Sequence, residues 1–207
     1  MSRRSLLLLV VCGVLPVFAV SASEHRCFDD GVVQHKFGVA FDQCKRLADQ
    51  GSVEAEDAMG GFFYGGLNVN KDFNQAFNYY SKAAAAGYRE SEYMLGIMYE
   101  NGEGVTADQK ASVEWTEKSA LHGFPAAQYG MARKYGIGKK RGVEQDFVRA
   151  YAWLLLAKQG GAANDPHLDV EKVGNLLENQ LGAEGKKQAQ ELADQLLKRI
   201  NPNTQPE

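Results

Sequence analysis

Small, aromatic and aliphatic positions along the chain fall into a two-helix pattern that is clearest between Gln75 and Asp108. Ala76, Tyr79 or Tyr80, and Ala83-Ala84 recur at helical spacing, so the first helix has one apolar face, small enough for a neighbour to approach closely. Gly87 ends that helix, because glycine takes the left-handed cap conformation without a Cβ clash. A second helix carries Tyr93, Met94 or Leu95, Met98 and Tyr99, and stops at "NGEG". The same pattern recurs around Gly51, Gly87 and Gly123, which are 36 residues apart. Ala40, Ala76 and Ser112 lie eleven before each glycine, and Ala48, Ala84 and Ala120 lie three before. Phe63, Tyr99 and Tyr135 lie twelve after and Gly66, Gly102 and Gly138 fifteen after, while Asp72 and Asp108 close the first two units. A period of this length predicts an all-α repeat array in which each unit leaves an apolar face for the next. Tyr79, Trp115 and Trp153 recur near one repeat offset and are expected in the core between repeats, not in a ligand box.

The stretch "QAFNYYSKAAAAGYRESEYMLGIMYENGEGVTAD" resembles the Sel1-like repeat, a relative of the tetratricopeptide repeat, and the likeness covers roughly residues 38 to 160. The resemblance implies a right-handed α-solenoid of helix-turn-helix repeats that binds protein partners. Repeats are expected at about 38–72, 73–108 and 109–146, with a partial unit at 147–161 that begins "RAYAWLLLAKQGG" from Arg149. The outer copies are degenerate: Gln43 and Cys44 stand where the second unit has Tyr79 and Tyr80, and Met131-Ala132 where it has Leu95-Gly96. Residues 169–200 read as two further helices, one with Val173, Leu176, Leu177 and Leu181, the other with Ala189, Leu192, Leu196 and Leu197. By the resemblance these form a C-terminal helical cap, with Lys186, Lys187, Glu191 and Lys198 toward water. The polar, proline-containing end at 201–207 is expected to be disordered.

Arg3 and Arg4, the apolar run from Leu6 to Val20, and small residues at Ala19, Ser21 and Ala22 predict a secretory signal peptide over 1–22. The run is short for a membrane span and contains Pro16; an uncleaved anchor is the alternative reading. Neither Val11 before Cys12 nor Arg26 before Cys27 is the small residue a lipoprotein site needs. A leader of this kind places the mature chain, 23–200 as one solenoid domain, in the periplasm. Cleavage removes two of the 23 basic residues and none of the 26 acidic ones, so the formal charge moves from -3 to -5. Mild acidity without a basic face gives no nucleic-acid footprint.

Cys27 and Cys44 remain after cleavage, and an even pair in an exported protein predicts a disulfide that staples the N-terminal segment to the first repeat. Together with His25 and His35 they form the alternative, a metal cluster, although the tight paired spacing of a zinc site is missing. Of the four histidines, His25, His35 and His167 join no nucleophile or acid-base motif, and His122 precedes Gly123 at a helix end. Glu100 and Glu103 read as exposed turn carboxylates without a paired arrangement. The chain is therefore read as non-enzymatic and without a cofactor.

Two features point to a partner surface. Asp42 and Arg46, Asn78 and Lys82, and Glu114 and Lys118 stand four apart at equivalent offsets on the first helices, a row that tetratricopeptide analogy places on the concave face. The plainer reading is intrahelical ion pairing. The connection "YGIGKKRGVEQD" is two residues longer than its counterpart "YENGEGVTAD" and carries Lys139, Lys140 and Arg141, either a solvated turn or an insertion on the binding face. Some exported members of the resembled family are immunity proteins against phospholipase effectors of type VI secretion systems, which is the sharpest functional expectation. The alternative is an envelope scaffold for cell-wall, polysaccharide or signalling machinery.

Overall fold

The computed structural model describes residues 37–202. Among them are nine α-helices and no strand, and the first seven helices are each 13 residues long. These are α1 (Phe37–Asp49), α2 (Val53–Gly65), α3 (Phe73–Ala85), α4 (Arg89–Asn101), α5 (Gln109–Leu121), α6 (Pro125–Ile137) and α7 (Phe147–Gln159). Two more, α8 (Val170–Gln180) and α9 (Ala183–Ile200), complete an all-α repeat solenoid. The leader, Cys27, His25, His35 and residues 203–207 lie outside the described residues.

Each of the first three odd-numbered helices stops in one geometry. The Gly51, Gly87 and Gly123 N–H groups donate to Ala48, Ala84 and Ala120 carbonyls at 2.9, 3.0 and 3.1 Å. The next N–H groups, of Ser52, Tyr88 and Phe124, reach back to Leu47, Ala83 and Ser119 at 3.0, 3.0 and 3.2 Å. These paired bonds satisfy carbonyls that the helix end would orphan, and they require the left-handed φ of +86°, +86° and +77° seen at the three glycines. The 36-residue spacing is thus a spacing of helix stops.

The longer connections are also copies. Asp72, Asp108 and Asp146 N–H groups donate to Phe63, Tyr99 and Tyr135 carbonyls at 3.0, 2.9 and 3.0 Å. The same aspartates then cap the following helices: Asp72 Oδ1 accepts from the N–H of Asn74 and Gln75, Asp108 Oδ1 from those of Lys110 and Ala111, and Asp146 Oδ1 from that of Arg149. Each such cap stabilises its helix by about 1 kcal/mol. Because Asp146 rejoins the pattern, the two extra residues of the third connection are absorbed before it, where Lys139–Arg141 form a single 3₁₀ turn.

Helices approach through alanine and glycine. Ala76, Ala83, Ala84, Ala120, Ala127, Ala150 and Ala157 are fully buried. A Cβ on Gly60 would stand 2.6 Å from the Tyr80 ring, and one on Gly96 would stand 2.5 Å from Thr116 Oγ1. The broadest packing joins α2 to α3, α4 to α5 and α6 to α7, so the second helix of one unit grips the first helix of the next more fully than its own partner. The aromatic stripe serves this packing: Trp153 is buried, Trp115 packs on the Leu95 and Met98 cluster, and Tyr79 stacks on Phe63 with centroids 5.8 Å apart.

At the C-terminal end α9 lies along α7 and touches α5, burying Ala189, Ala193 and Leu196. α8 buries Val170, Gly174 and Leu177 but leaves Leu176 59% exposed, where the sequence pattern predicts an apolar contact. Lys187, Glu191 and Lys198 are exposed, whereas Lys186 is half-buried and bonds Glu178 at 3.2 Å. No described helix is long and apolar enough to cross a membrane.

Candidate functional site

The first-helix row lies where the repeat offset puts it: Arg46, Asn78, Lys82, Glu114 and Lys118 are all exposed, on α1, α3 and α5. Its ion pairing differs from the intrahelical scheme. Glu114 is 3.9 Å from Lys110, while Lys118 Nζ turns to Glu92 Oε1 at 3.0 Å on the preceding helix. Glu92 is wholly buried, and its second oxygen lies 2.8 Å from His122 Nδ1 at the end of α5. One unit earlier, at the same offsets, the Lys82 charge opposes the rise that desolvation imposes on the Glu56 pKa, without a close ion pair such as Lys118 makes. Glu56 and Lys82, like Glu92 and Lys118, are 26 residues apart, and the third copy is the neutral pair Gln128 and Leu156, two residues further apart because of the insertion. Lys118 therefore ties successive helices together, and Lys82 and Lys118 each rest over an aromatic face of their own helix, Tyr79 at 5.3 Å and Trp115 at 4.9 Å.

The basic turn divides in two. Lys139 and Lys140 are exposed, and Lys139 is 3.6 Å from Glu144 in a pair that is 82% exposed on both sides and worth little. Arg141 instead turns inward, half-buried, and forms an ion pair with Glu100. Glu100 is not a turn carboxylate as its sequence context suggests: it lies on α4, and its other oxygen accepts from Lys134 Nζ at 2.6 Å. Glu103 does lie in the turn and accepts a hydrogen bond from Tyr64 Oη at 2.9 Å.

Lys134 escaped the sequence reading. It is 4% exposed, and its Nζ also donates to Ser112 Oγ at 2.8 Å, which in turn donates to the Gly96 carbonyl at 2.7 Å. Burial, and then the neighbouring Arg133 charge, lower its pKa to about 8. Aligning the units at 36 residues exposes the signal: Phe62, Met98 and Lys134 occupy one position, and all three are buried. A second group with a displaced pKa is half-buried Asp57, whose carboxyl is pushed up to about 6 by desolvation, opposed by the hydrogen bond it accepts from Ser91 Oγ at 2.6 Å.

Cys44 is fully buried on α1; the expected bond to Cys27 falls outside the described residues. His167 is exposed, with its backbone N–H donated to Asp165 at 2.9 Å. Among the described residues no group of three or more His, Cys, Asp or Glu side chains is placed to hold a metal ion.

The Sel1 repeat family model matches residues 53–88, 89–124 and 125–161, more than half of the chain. It cuts the 36-residue period half a unit later than the sequence reading, so each matched unit pairs a second helix with the following first helix, the pairs that pack most broadly here. Among solved structures, a protective antigen present in uropathogenic Escherichia coli strains, which displays an SLR fold, is similar with 30% identity and a TM-score of 0.69 over 80% of this chain and 34% of its own. A Sel1 repeat protein from Oxalobacter formigenes is similar with 29% identity and a TM-score of 0.62, over 80% of this chain and 49% of its own. The chain thus spans about a third and about half of the lengths of these two neighbours. No curated protein sequence matches it. With the repeat period, the helix pairs and the family model in agreement, this chain belongs to the Sel1 repeat family and folds as an all-α repeat solenoid.

Proposed function

We propose that this solenoid is exported to the periplasm and acts there as an immunity protein, binding a type VI secreted phospholipase effector and occluding its catalytic entrance. Occlusion needs shape and charge, not chemistry. The observation that carries the reading is the set of equivalent, solvent-facing positions on equal, rigidly capped helices, of which Arg46, Asn78 and Lys82 are the clearest. The leader-like start of the chain supports export, as does a structural neighbour described as a protective antigen. Export also favours the Cys27–Cys44 disulfide, which non-reducing peptide mapping of the secreted chain should recover as one linked species.

The test is co-expression with a periplasm-directed phospholipase encoded beside the gene. Survival of the cells and a co-purifying complex are expected, with both weakened by Arg46→Glu combined with Lys82→Glu. Equal killing and no complex would refute immunity to that enzyme, and capture of cell-wall or polysaccharide machinery instead would favour an envelope scaffold.

A further inference from the structure

One interior layer of the solenoid changes character between units. At equivalent positions Ala40 and Ala76 give way to Ser112, Cys44 and Tyr80 to Thr116, Phe62 and Met98 to Lys134, and Tyr64 to Glu100. This polar version of the layer borders open space: a cavity of about 220 Å³ lies between α4 and α6, with Gly96, Thr116 and Gly130 in its lining. Arg133, Lys134 and Arg141 line it, with Glu100 as the carboxylate among them. Lys134 and Arg141 share the two oxygens of Glu100, and Arg133, exposed at the rim, has no ion-pair partner among the described residues. Three cations thus face a single anion, in a recess whose partial burial weakens solvent screening.

Arg133 also borders a second recess. On its other side a groove of about 430 Å³ runs between α6 and α8, walled by Ile137, Phe147, Val173, Leu176 and Leu177. Leu176 is 59% and Ile137 42% exposed, so the apolar lining is presented to solvent. Charge and apolar surface therefore adjoin at one residue.

We propose that these adjoining recesses dock an acidic segment of a protein partner, its carboxylate entering beside Arg133, Lys134 and Arg141 and a neighbouring aliphatic or aromatic side chain entering the α6–α8 groove. The inference rests on the protein-binding reading but assigns a surface formed by α4, α6 and α8, apart from the first-helix row. The excess positive charge calls for an anion, and the groove calls for an apolar group joined to it, a combination that an acidic peptide supplies and a free inorganic anion does not.

The test selects phage-displayed random dodecapeptides on the full chain, then measures the enriched peptides, made synthetically, against Arg133→Glu, Leu176→Glu and the double variant Arg46→Glu/Lys82→Glu. All of these positions are solvent-facing, and a circular dichroism melt confirms folding. Enrichment of Asp or Glu within a few residues of Leu, Ile or Phe is expected, with affinity about tenfold weaker for Arg133→Glu and for Leu176→Glu and unchanged for the double variant. Peptides without acidic residues, no enriched peptide at all, or equal binding to Arg133→Glu would overturn the site. If affinity falls only in the double variant, protein binding stands and this location fails. A shift of the Arg133 and Lys134 side-chain NMR signals with inorganic phosphate, but not with the peptide, would assign the cavity to a free oxyanion and also overturn the proposal.

Discussion

Replacing Lys134 with methionine, the residue found at the equivalent Met98, should stabilise the protein and remove a specific pH dependence. The lysine pKa falls from 10.5 to about 8, a penalty on the charged form on the order of 3 kcal/mol. Methionine strands no charge, because Glu100 keeps its ion pair with Arg141 and Ser112 keeps its hydrogen bond to Gly96. A gain of about 1–3 kcal/mol at pH 7 is therefore expected, since a buried ionic group often stabilises less than a packed apolar one. The pH dependence has a definite sign. Between pH 8 and 10.5 the folded lysine has lost a proton that the unfolded chain still holds, so wild-type stability rises with pH across that interval. The advantage of Lys134→Met should accordingly be full below about pH 8 and shrink toward pH 10. Tyr64, with its pKa raised to about 12, contributes the opposite trend above pH 10, but equally in both proteins. Urea unfolding of both proteins at pH 7, 8.5 and 10 measures the difference. A methionine variant less stable at pH 7, or a gap that does not change with pH, would refute the reasoning.

Asp57→Asn should stabilise by about 1–3 kcal/mol at pH 7, because the carboxyl is held up near 6 by desolvation while the amide can still accept from Ser91. The folded carboxyl keeps a proton between about 4 and 6 that the unfolded chain has lost, so wild-type stability falls as pH rises through that window and the gap should close below pH 4 in acid titrations of the melting temperature. Gly87→Ala meets no atom within 4 Å and should cost only the strain of its left-handed φ, about 1 kcal/mol. At Gly104 a Cβ would meet the Phe73 carbonyl oxygen at 2.1 Å, so Gly104→Ala should cost about 3 kcal/mol; equal urea midpoints for the two would contradict the packing. A double-mutant cycle of Glu92→Gln and Lys118→Met should give a coupling of about 1 kcal/mol, and additive effects would show that the 3.0 Å contact contributes nothing.

Much of the fold was legible in the sequence because its signals are local. Gly51, Gly87 and Gly123 are backbone requirements of a helix stop, and Asp72 and Asp108 are caps, so the chemistry that ends each element is written next to it. The candidate surfaces were less legible because their contacts join distant segments. Arg141 reads as one of three solvated cations until the fold brings it to Glu100 on another helix. Lys118 reads as half of an intrahelical pair until the preceding helix supplies buried Glu92. Lys134 was readable in principle, since alignment with Phe62 and Met98 assigns it to a core position, but a lysine in a helix is ordinarily taken as exposed. Leu176 fails in the other direction, an apolar residue at helical spacing that the chain leaves uncovered.

The glycine turns also fall where packing between successive helices is narrower. Broad packing fuses α2 with α3, α4 with α5, and α6 with α7 into stiff blocks, while the joints between blocks are the short turns at Gly51, Gly87 and Gly123. Two of these joints, Gly51 and Gly87, have open space around the position of a side chain, so neighbouring helices leave the outside of the turn uncovered. Bending the array would separate less packed surface at these turns than inside a block, so the blocks are the units in which the solenoid is expected to move as a whole.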